Sequence, residues 1–134
     1  MILFMHDNTP LILLVDDEPE LTAVFGDKLG SSGFRVARAE SGKDALALAR
    51  EERPDAVLLD LRMPEMDGAA FLDVFRKDPD FKDIPVAILT SFHEYEGEKV
   101  DDQYVSKIGA NVLFEKGMDL SELVRRVRAL IAGS

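Results

Sequence analysis

The chain is 134 residues long, a length that suits one domain burying about two thirds of its unfolded surface. Its 46% hydrophobic and 31% charged residues exclude a disordered or a collagen-like protein. The formal net charge of -10 opposes unspecific binding to nucleic acid or to anionic membrane, and the absence of cysteine excludes a disulfide framework and a thiolate metal site.

The chain is expected to begin with a tail, residues 1–10, followed by one domain over residues 11–134. Residues 1–5 are apolar, but polar residues follow at once, so this run is too short for a signal peptide or a membrane span. We therefore expect no membrane insertion, and the cysteine-free composition is consistent with a cytoplasmic protein.

Strands and helices are predicted to alternate along the domain. Apolar runs of strand length predict strands at residues 11–15, 34–39, 56–59, 85–89 and 112–114. Helices are predicted from an acidic start at residues 17–20 to Leu29, from a cap at Ser41 to Glu52, around residues 70–75 with an end at Asp78, and from a cap at Asp119 to Ile131. The expected buried positions include Leu21, Val24, Phe25 and Leu29 on the first helix and Ala70, Phe71, Val74 and Phe75 on the third. Such alternation predicts a parallel sheet with helices on both faces.

Polar side chains stand at the ends of four predicted strands. These are Asp16 and Asp17 after the first, Asp60 after the third, Thr90 at the end of the fourth and Lys116 after the last. The carboxyl ends of parallel strands meet at one edge of a sheet, where ligands bind. Taken singly, Asp60 could be a turn former, Thr90 a β-branched strand residue and Lys116 a solvated lysine at a helix start. The combination favours a site over these separate explanations.

These residues, in this order, resemble the receiver domain of bacterial two-component response regulators, and the resemblance covers residues 11–131. It implies a flavodoxin-like, doubly wound five-stranded parallel sheet with strand order 2-1-3-4-5 and helices on both faces. It further implies a stand-alone receiver, similar to the chemotaxis response regulators, that takes a phosphoryl group onto Asp60 from a sensor histidine kinase or a histidine phosphotransfer protein. Phosphorylation would then switch a face formed by the fourth helix, fifth strand and fifth helix, which binds a downstream protein target.

The implied strand order brings three carboxylates together. Asp16, Asp17 and Asp60 would repel one another by about 1 to 4 kcal/mol per pair at a surface-like dielectric, so a cation is needed, and oxygen ligands favour Mg²⁺. By resemblance, Asp17 and Asp60 bind the metal directly, Asp16 binds it through water, and the backbone carbonyl of Arg62 completes the protein ligands. The resemblance also assigns charge neutralisation to Lys116, a switch hydroxyl to Thr90, and tuning of hydrolysis to Arg62, Ser91 and Phe92.

The sequence departs from the family's usual pattern in three places. Gly117 stands where the family usually has a proline after its lysine, and we predict a trans or a strained peptide bond there. Leu113 replaces a usual aromatic residue, for which Phe92 or Tyr95 could substitute. Residues 91–108 are long and acidic, and are predicted to form a polar loop leading into a shifted or shortened fourth helix, or else a solvated loop without a role.

Two other functions share parts of this pattern. A haloacid-dehalogenase-like phosphatase also uses Mg²⁺ and an Asp nucleophile, but it expects a second acid where Arg62 stands. A receiver-like module that binds its partner without phosphorylation is the stronger alternative, favoured by Gly117, Leu113 and the long acidic segment. The main prediction is a protein that catalyses only its own phosphorylation and dephosphorylation, as a monomer or weak homodimer without direct contact to nucleic acid.

Overall fold

The computed structural model of the chain describes residues 9–133. The tail predicted over residues 1–10 therefore lies almost entirely outside the described residues, and the boundary between tail and domain stays a prediction. In the described part of the chain, no helix has the length and apolar character needed to cross a membrane.

Strands and helices alternate as predicted. The strands are β1 (Leu11–Val15), β2 (Arg35–Ala39), β3 (Ala56–Asp60), β4 (Val86–Thr90), β5 (Glu94–Tyr95), β6 (Glu98–Lys99) and β7 (Val112–Glu115). The helices are α1 (Pro19–Ser31), α2 (Gly42–Glu51), α3 (Gly68–Lys77), α4 (Asp102–Lys107) and α5 (Leu120–Ala132). Each strand expected from an apolar run is confirmed to within one residue at either end.

Five of the strands form one parallel sheet in the order β2-β1-β3-β4-β7. The predicted order 2-1-3-4-5 is confirmed, because β7 is the fifth strand of the prediction and the two short strands before it form a sheet of their own. Val15 is paired with Leu59, so the residues that follow them, Asp16 and Asp60, are neighbours at the carboxyl edge.

The core lies on both faces of the sheet. Successive side chains of β1 alternate between the faces: Leu13 packs in the cluster that contains Phe71 of α3, whereas Leu14 packs in the cluster that contains Phe25 of α1 and Leu123 of α5. Burial on both sides explains why the central strands are continuous apolar runs instead of alternating patterns.

On two helices, part of the expected buried stripe is exposed. Val24 on α1 and Val74 on α3 are 50% and 39% exposed, and Ala70 is exposed as well, so these three predictions were wrong. The buried positions are Thr22, Phe25, Gly26 and Leu29 on α1 and Gly68, Phe71, Leu72 and Phe75 on α3. Each set follows the spacing i, i+3, i+4, i+7, and small or hydroxyl-bearing residues occupy places that a hydrophobicity pattern does not mark.

The segment between β4 and α4 is a β-hairpin, so the predicted polar loop was wrong for residues 94–99. Glu94 pairs with Lys99 and Tyr95 with Glu98 in an antiparallel ladder. The two residues between the strands, Glu96 and Gly97, have positive φ values of 55° and 77°, as a two-residue hairpin turn of type I′ requires. The predicted shortening of the fourth helix is confirmed, since α4 has six residues.

Candidate functional site

Three carboxylates meet at the carboxyl edge of the sheet. Asp16 follows β1 and Asp60 ends β3, and these two residues are only 0% and 2% exposed, whereas Asp17 is exposed. Each of the three offers a carboxylate oxygen, and these oxygens lie within 4.8 Å of one another. The structure thus brings together the three acids that the strand ends predicted.

Lys116 lies against these acids from the other side of the edge. Its backbone N–H donates to Thr90 O at 2.9 Å, which ties the end of β7 to the end of β4. Its Nζ lies 3.0 Å from Asp16 Oδ2 and 3.2 Å from Asp60 Oδ1, and the side chain is only 9% exposed. The predicted lysine therefore forms ion pairs with two of the three predicted acids.

Glu18 is a site residue that sequence reasoning missed. Its Oε1 accepts a hydrogen bond from Lys116 Nζ, so a third carboxylate contacts this ammonium. Glu18 lies at the start of α1, where the helix dipole stabilises an acidic residue, but its side chain does not cap the helix. The signal that could have revealed it is its position two residues after the buried Asp16, whose Oδ1 accepts from Glu18 N–H at 2.8 Å.

The electrostatics of the site follow from burial and like charge. Burial, and then the charge of Asp16, raise the pKa of Asp60 to about 6. Burial also raises the pKa of Asp16, although the hydrogen bond from Glu18 N–H and the nearby Lys116 oppose that shift. Burial lowers the pKa of Lys116, but the surrounding carboxylates outweigh it and hold this pKa above its usual value. One ammonium therefore does not fully compensate the acids.

A divalent cation fits this donor set. Asp16 is buried, and the Lys116 ammonium that lies 3.0 Å from its Oδ2 is shared with Asp60 and Glu18. Carboxylates that share a single ammonium are a favourable environment for a hard ion with oxygen ligands, of which Mg²⁺ is the usual example in proteins. Arg62 N–H points at Asp60 Oδ1 at 3.4 Å, which places the Arg62 backbone at the cleft; metal binding by its carbonyl stays a prediction.

The loop after Asp60 closes back against the end of β3. Gly68 N–H donates to Leu61 O at 2.8 Å, and a Cβ on Gly68 would lie 2.9 Å from Asp60 O, so a larger residue would displace the backbone there. Asp67 caps α3, since its Oδ1 accepts from Ala70 N–H at 2.8 Å. The turn chemistry of this loop thus holds Asp60 at the floor of a cleft.

Thr90 is buried, and its hydroxyl is engaged by the loop that follows β4. Oγ1 donates to Phe92 O at 3.0 Å and accepts from Phe92 N–H at 3.1 Å. The Phe92 ring lies under the Arg62 guanidinium, 4.9 Å from ring centroid to Cζ, and stacks on Tyr95 with centroids 6.0 Å apart. The predicted substitutes for the missing aromatic residue therefore form a pair beside the site.

The cleft above Asp60 has a volume of about 440 Å³. Its lining residues are Asp17, Glu18, Asp60, Arg62, Met63, Pro64, Ser91, Phe92 and Lys116. Leu113 instead packs against the core, and Gly117 lies on a neighbouring surface with Thr90 and Ser91. The peptide bond between Lys116 and Gly117 is trans, as predicted.

Comparison with known proteins gives a consistent result. A family profile described as "Response regulator receiver domain" matches residues 12–128. The transcriptional regulatory protein PrrA of Mycobacterium tuberculosis is 38% identical over 124 residues, covering 92% of this chain and 50% of that protein. Protein PilH of Pseudomonas aeruginosa is 34% identical over 122 residues, covering 91% of this chain and 98% of that protein.

Among solved structures, the receiver domain of the sensor histidine kinase PA1611 from P. aeruginosa, described with a magnesium ion coordinated in its active-site cleft, is 30% identical. It superposes with a TM-score of 0.81, covering 94% of this chain and 99% of that one. The chain spans about half the length of the first curated relatives it matches, such as PrrA, and nearly all of PilH. The conserved fold, the acidic edge and these matches lead to one conclusion: the chain belongs to the response regulator receiver domain family.

Proposed function

We propose that this receiver domain accepts a phosphoryl group on Asp60 from a phosphohistidine of a sensor histidine kinase or of a histidine phosphotransfer protein. The observation that carries the proposal is the placement of the Asp60 carboxylate at the floor of an open cleft, with Lys116 Nζ 3.2 Å from its Oδ1. A nucleophile beside a fixed positive charge is the arrangement that phosphoryl transfer requires.

In the proposed step, an oxygen of Asp60 attacks phosphorus while the bond from phosphorus to the donor histidine nitrogen breaks, and an acyl phosphate forms. Since the pKa of Asp60 is about 6, the nucleophilic carboxylate predominates at neutral pH. Lys116 is positioned to neutralise charge on the transferred oxygens. Asp17, Asp60, the Arg62 carbonyl and, through water, Asp16 would hold Mg²⁺, which when bound supplies further charge neutralisation on those oxygens.

Thr90 is proposed as the switch that reads the phosphoryl group. Its hydroxyl must give up both hydrogen bonds with the Phe92 backbone before it can turn to a group on Asp60, so we expect the loop after β4 to rearrange on phosphorylation. The output would be a conformational change in the face formed by α4, β7 and α5, to which a downstream protein binds. We expect this to take place in the cytoplasm, which supplies the ATP that kinases use.

Arg62, Ser91 and Phe92 are proposed to tune the lifetime of the acyl phosphate. All three line the cleft, and the Phe92 ring restricts the space through which water can approach Asp60. Replacing Phe92 by Ala is expected to speed dephosphorylation, measured as loss of the phosphoryl adduct with time. An unchanged or slower rate would reject this role.

The proposal is tested by intact mass spectrometry after incubation with Mg²⁺ and acetyl phosphate, run beside Asp60→Asn. A Mg²⁺-dependent phosphoryl adduct on the wild-type chain, absent from Asp60→Asn, is the expected result. An adduct that persists in Asp60→Asn would contradict the assignment of the nucleophile.

A receiver-like module that binds its partner without phosphorylation is the second candidate. It is favoured by Leu113 and Gly117, which depart from the family's usual pattern, and by the long acidic segment after Thr90, which contains the hairpin. The two candidates separate in a single experiment: a wild-type chain that stays unmodified with acetyl phosphate and with a purified kinase, yet still binds its partner, supports the module. In either case we expect a monomer or weak homodimer without direct binding to nucleic acid.

A further inference from the structure

We propose that Glu18 is a positioning residue that competes with the incoming phosphoryl group for Lys116 and thereby lowers the affinity of the site for small anionic phosphodonors. This inference rests on the proposed phosphoacceptor function. Its starting observation is that the ammonium of Lys116 lies among three carboxylates, of which only Glu18 is largely exposed, at 60% of its side chain.

Glu18 occupies part of the hydrogen-bonding capacity of the Lys116 ammonium. In the described residues, Lys116 Nζ donates a hydrogen bond to Glu18 Oε1 and forms an ion pair with Asp16 Oδ2 at 3.0 Å. A phosphoryl group on Asp60 would bring further anionic oxygens to this ammonium, which already lies 3.2 Å from Asp60 Oδ1. Because an ammonium has three N–H donors, Glu18 competes with those oxygens for a share of Lys116.

Of the three carboxylates, Glu18 is the one that can leave. Asp16 and Asp60 are buried at the ends of β1 and β3, and each would be left as an uncompensated buried charge if it lost contact with Lys116. The side chain of Glu18 makes no cap to α1, and its carboxylate regains water when it swings out of the cleft. The exchange of Glu18 for a phosphoryl oxygen is thus a reversible competition at the mouth of the site.

Charge makes this competition selective for the donor. Glu18 lines the cleft, so a small anionic donor must approach Asp60 past its negative charge, whereas a protein donor brings binding contacts outside the cleft. Removing the charge of Glu18 is expected to raise the apparent affinity for a small anionic donor about two- to fivefold, the range for an ion pair with an exposed partner.

The test compares Glu18→Gln with Glu20→Gln, which removes the same charge from the first turn of α1 at a position that does not line the cleft. Phosphorylation rates are measured against acetyl phosphate concentration at fixed Mg²⁺. We expect Glu18→Gln to lower the half-saturating concentration about two- to fivefold, and Glu20→Gln to change it by less than half of that. The gain should shrink at about 1 M salt, where the screening length falls to about 3 Å; a rearranged helix would not respond in this way.

Equal effects of the two substitutions, or no effect of either, would overturn the inference while leaving the phosphoacceptor proposal in place. If the wild-type chain is not phosphorylated, the same three proteins are titrated with beryllofluoride and Mg²⁺, a tetrahedral mimic of a phosphoryl group on a carboxylate, and followed by NMR. Tighter binding by Glu18→Gln alone supports Glu18 even though covalent transfer fails, and no binding by any of them overturns both proposals. Glu18→Ala serves as a second variant, with unfolding curves as the check on folding.

Discussion

The two sides of the cleft differ in what holds them in place. On one side, Asp16 and Asp60 are positioned by the paired backbones of β1 and β3. On the other side, Phe92 and Tyr95 are positioned by side-chain contacts within the hairpin segment and with the loop after β3. The first arrangement follows from strand order, whereas the second depends on how one particular loop packs.

Asp67 shows how the second side is joined to the first. One carboxylate oxygen caps α3 through Ala70 N–H, and the other accepts the hydroxyl of Tyr95 at 2.9 Å. Burial, and then this hydrogen bond, raise the pKa of Tyr95 to about 12, which widens the pH range over which the hydroxyl is protonated and donates to Asp67. The hairpin is thus attached to the loop that holds Asp60.

The largest expected effect on stability comes from Asp60→Asn. The folded state binds the Asp60 proton more tightly than the unfolded state does, so wild-type stability falls as pH rises from about 4 to about 6. Above that range, in metal-free buffer, Asp60→Asn is expected to be more stable by up to about 3 kcal/mol, because a pKa shift of about two units is worth that much. Urea unfolding across this pH range measures it, and Mg²⁺ should reduce the difference.

Replacing Lys116 should change the free energy of unfolding in the opposite direction. Lys116→Met leaves Asp16 and Asp60 without their nearest positive charge and is expected to lower the free energy of unfolding by about 1 to 3 kcal/mol at neutral pH. Combining it with Asp60→Asn should recover part of the loss, which a double-mutant cycle measures. Strict additivity of the two changes would argue against a direct interaction between the residues.

Mg²⁺ binding should depend on the protonation state of Asp60. Because a bound metal requires the Asp60 carboxylate, whose pKa is about 6, the affinity for Mg²⁺ is expected to fall about tenfold per pH unit below that value. Titration followed by calorimetry or NMR between about pH 7.5 and about pH 5 tests this dependence. A constant affinity over the range would argue against metal binding by a carboxylate whose pKa is about 6.

The smallest effect is expected on the hairpin side. Tyr95→Phe keeps the stack on Phe92 but removes the hydrogen bond to Asp67, so it should cost about 1 kcal/mol. Hydrogen exchange should locate the loss in residues 94–99 and not in the sheet. Asp73→Ala on α3, which removes only an exposed ion pair with Lys77, is the control and should leave exchange in the hairpin unchanged.

Much of the site could be predicted because it depends on strand ends. Asp16, Asp60 and Lys116 each follow an apolar run, and parallel strands bring such positions to one edge whatever the loops between them do. Glu18 could not be predicted in the same way, because its contact with Lys116 depends on the direction of one exposed side chain.

The hairpin escaped prediction for a related reason. Its turn places Glu96 at a positive φ, a conformation in which Asn, Asp or Gly would have given a recognisable signal. The exposed Val24 and Val74 likewise show that hydrophobicity alone does not determine which face of a helix meets the sheet.

By itself, the sequence determined the alternation of strands and helices, the doubly wound parallel sheet and the residues gathered at its carboxyl edge. These features follow from local periodicity and from the short list of ways in which such elements connect. Only the tertiary structure decided the hairpin, the contact between Tyr95 and Asp67, and the hydrogen bond from Lys116 to Glu18. The two contacts depend on side chains far apart in the sequence, whose meeting is governed by packing and charge and leaves no periodic trace along the chain. The hairpin is local, but its turn lacks the residues that usually mark one.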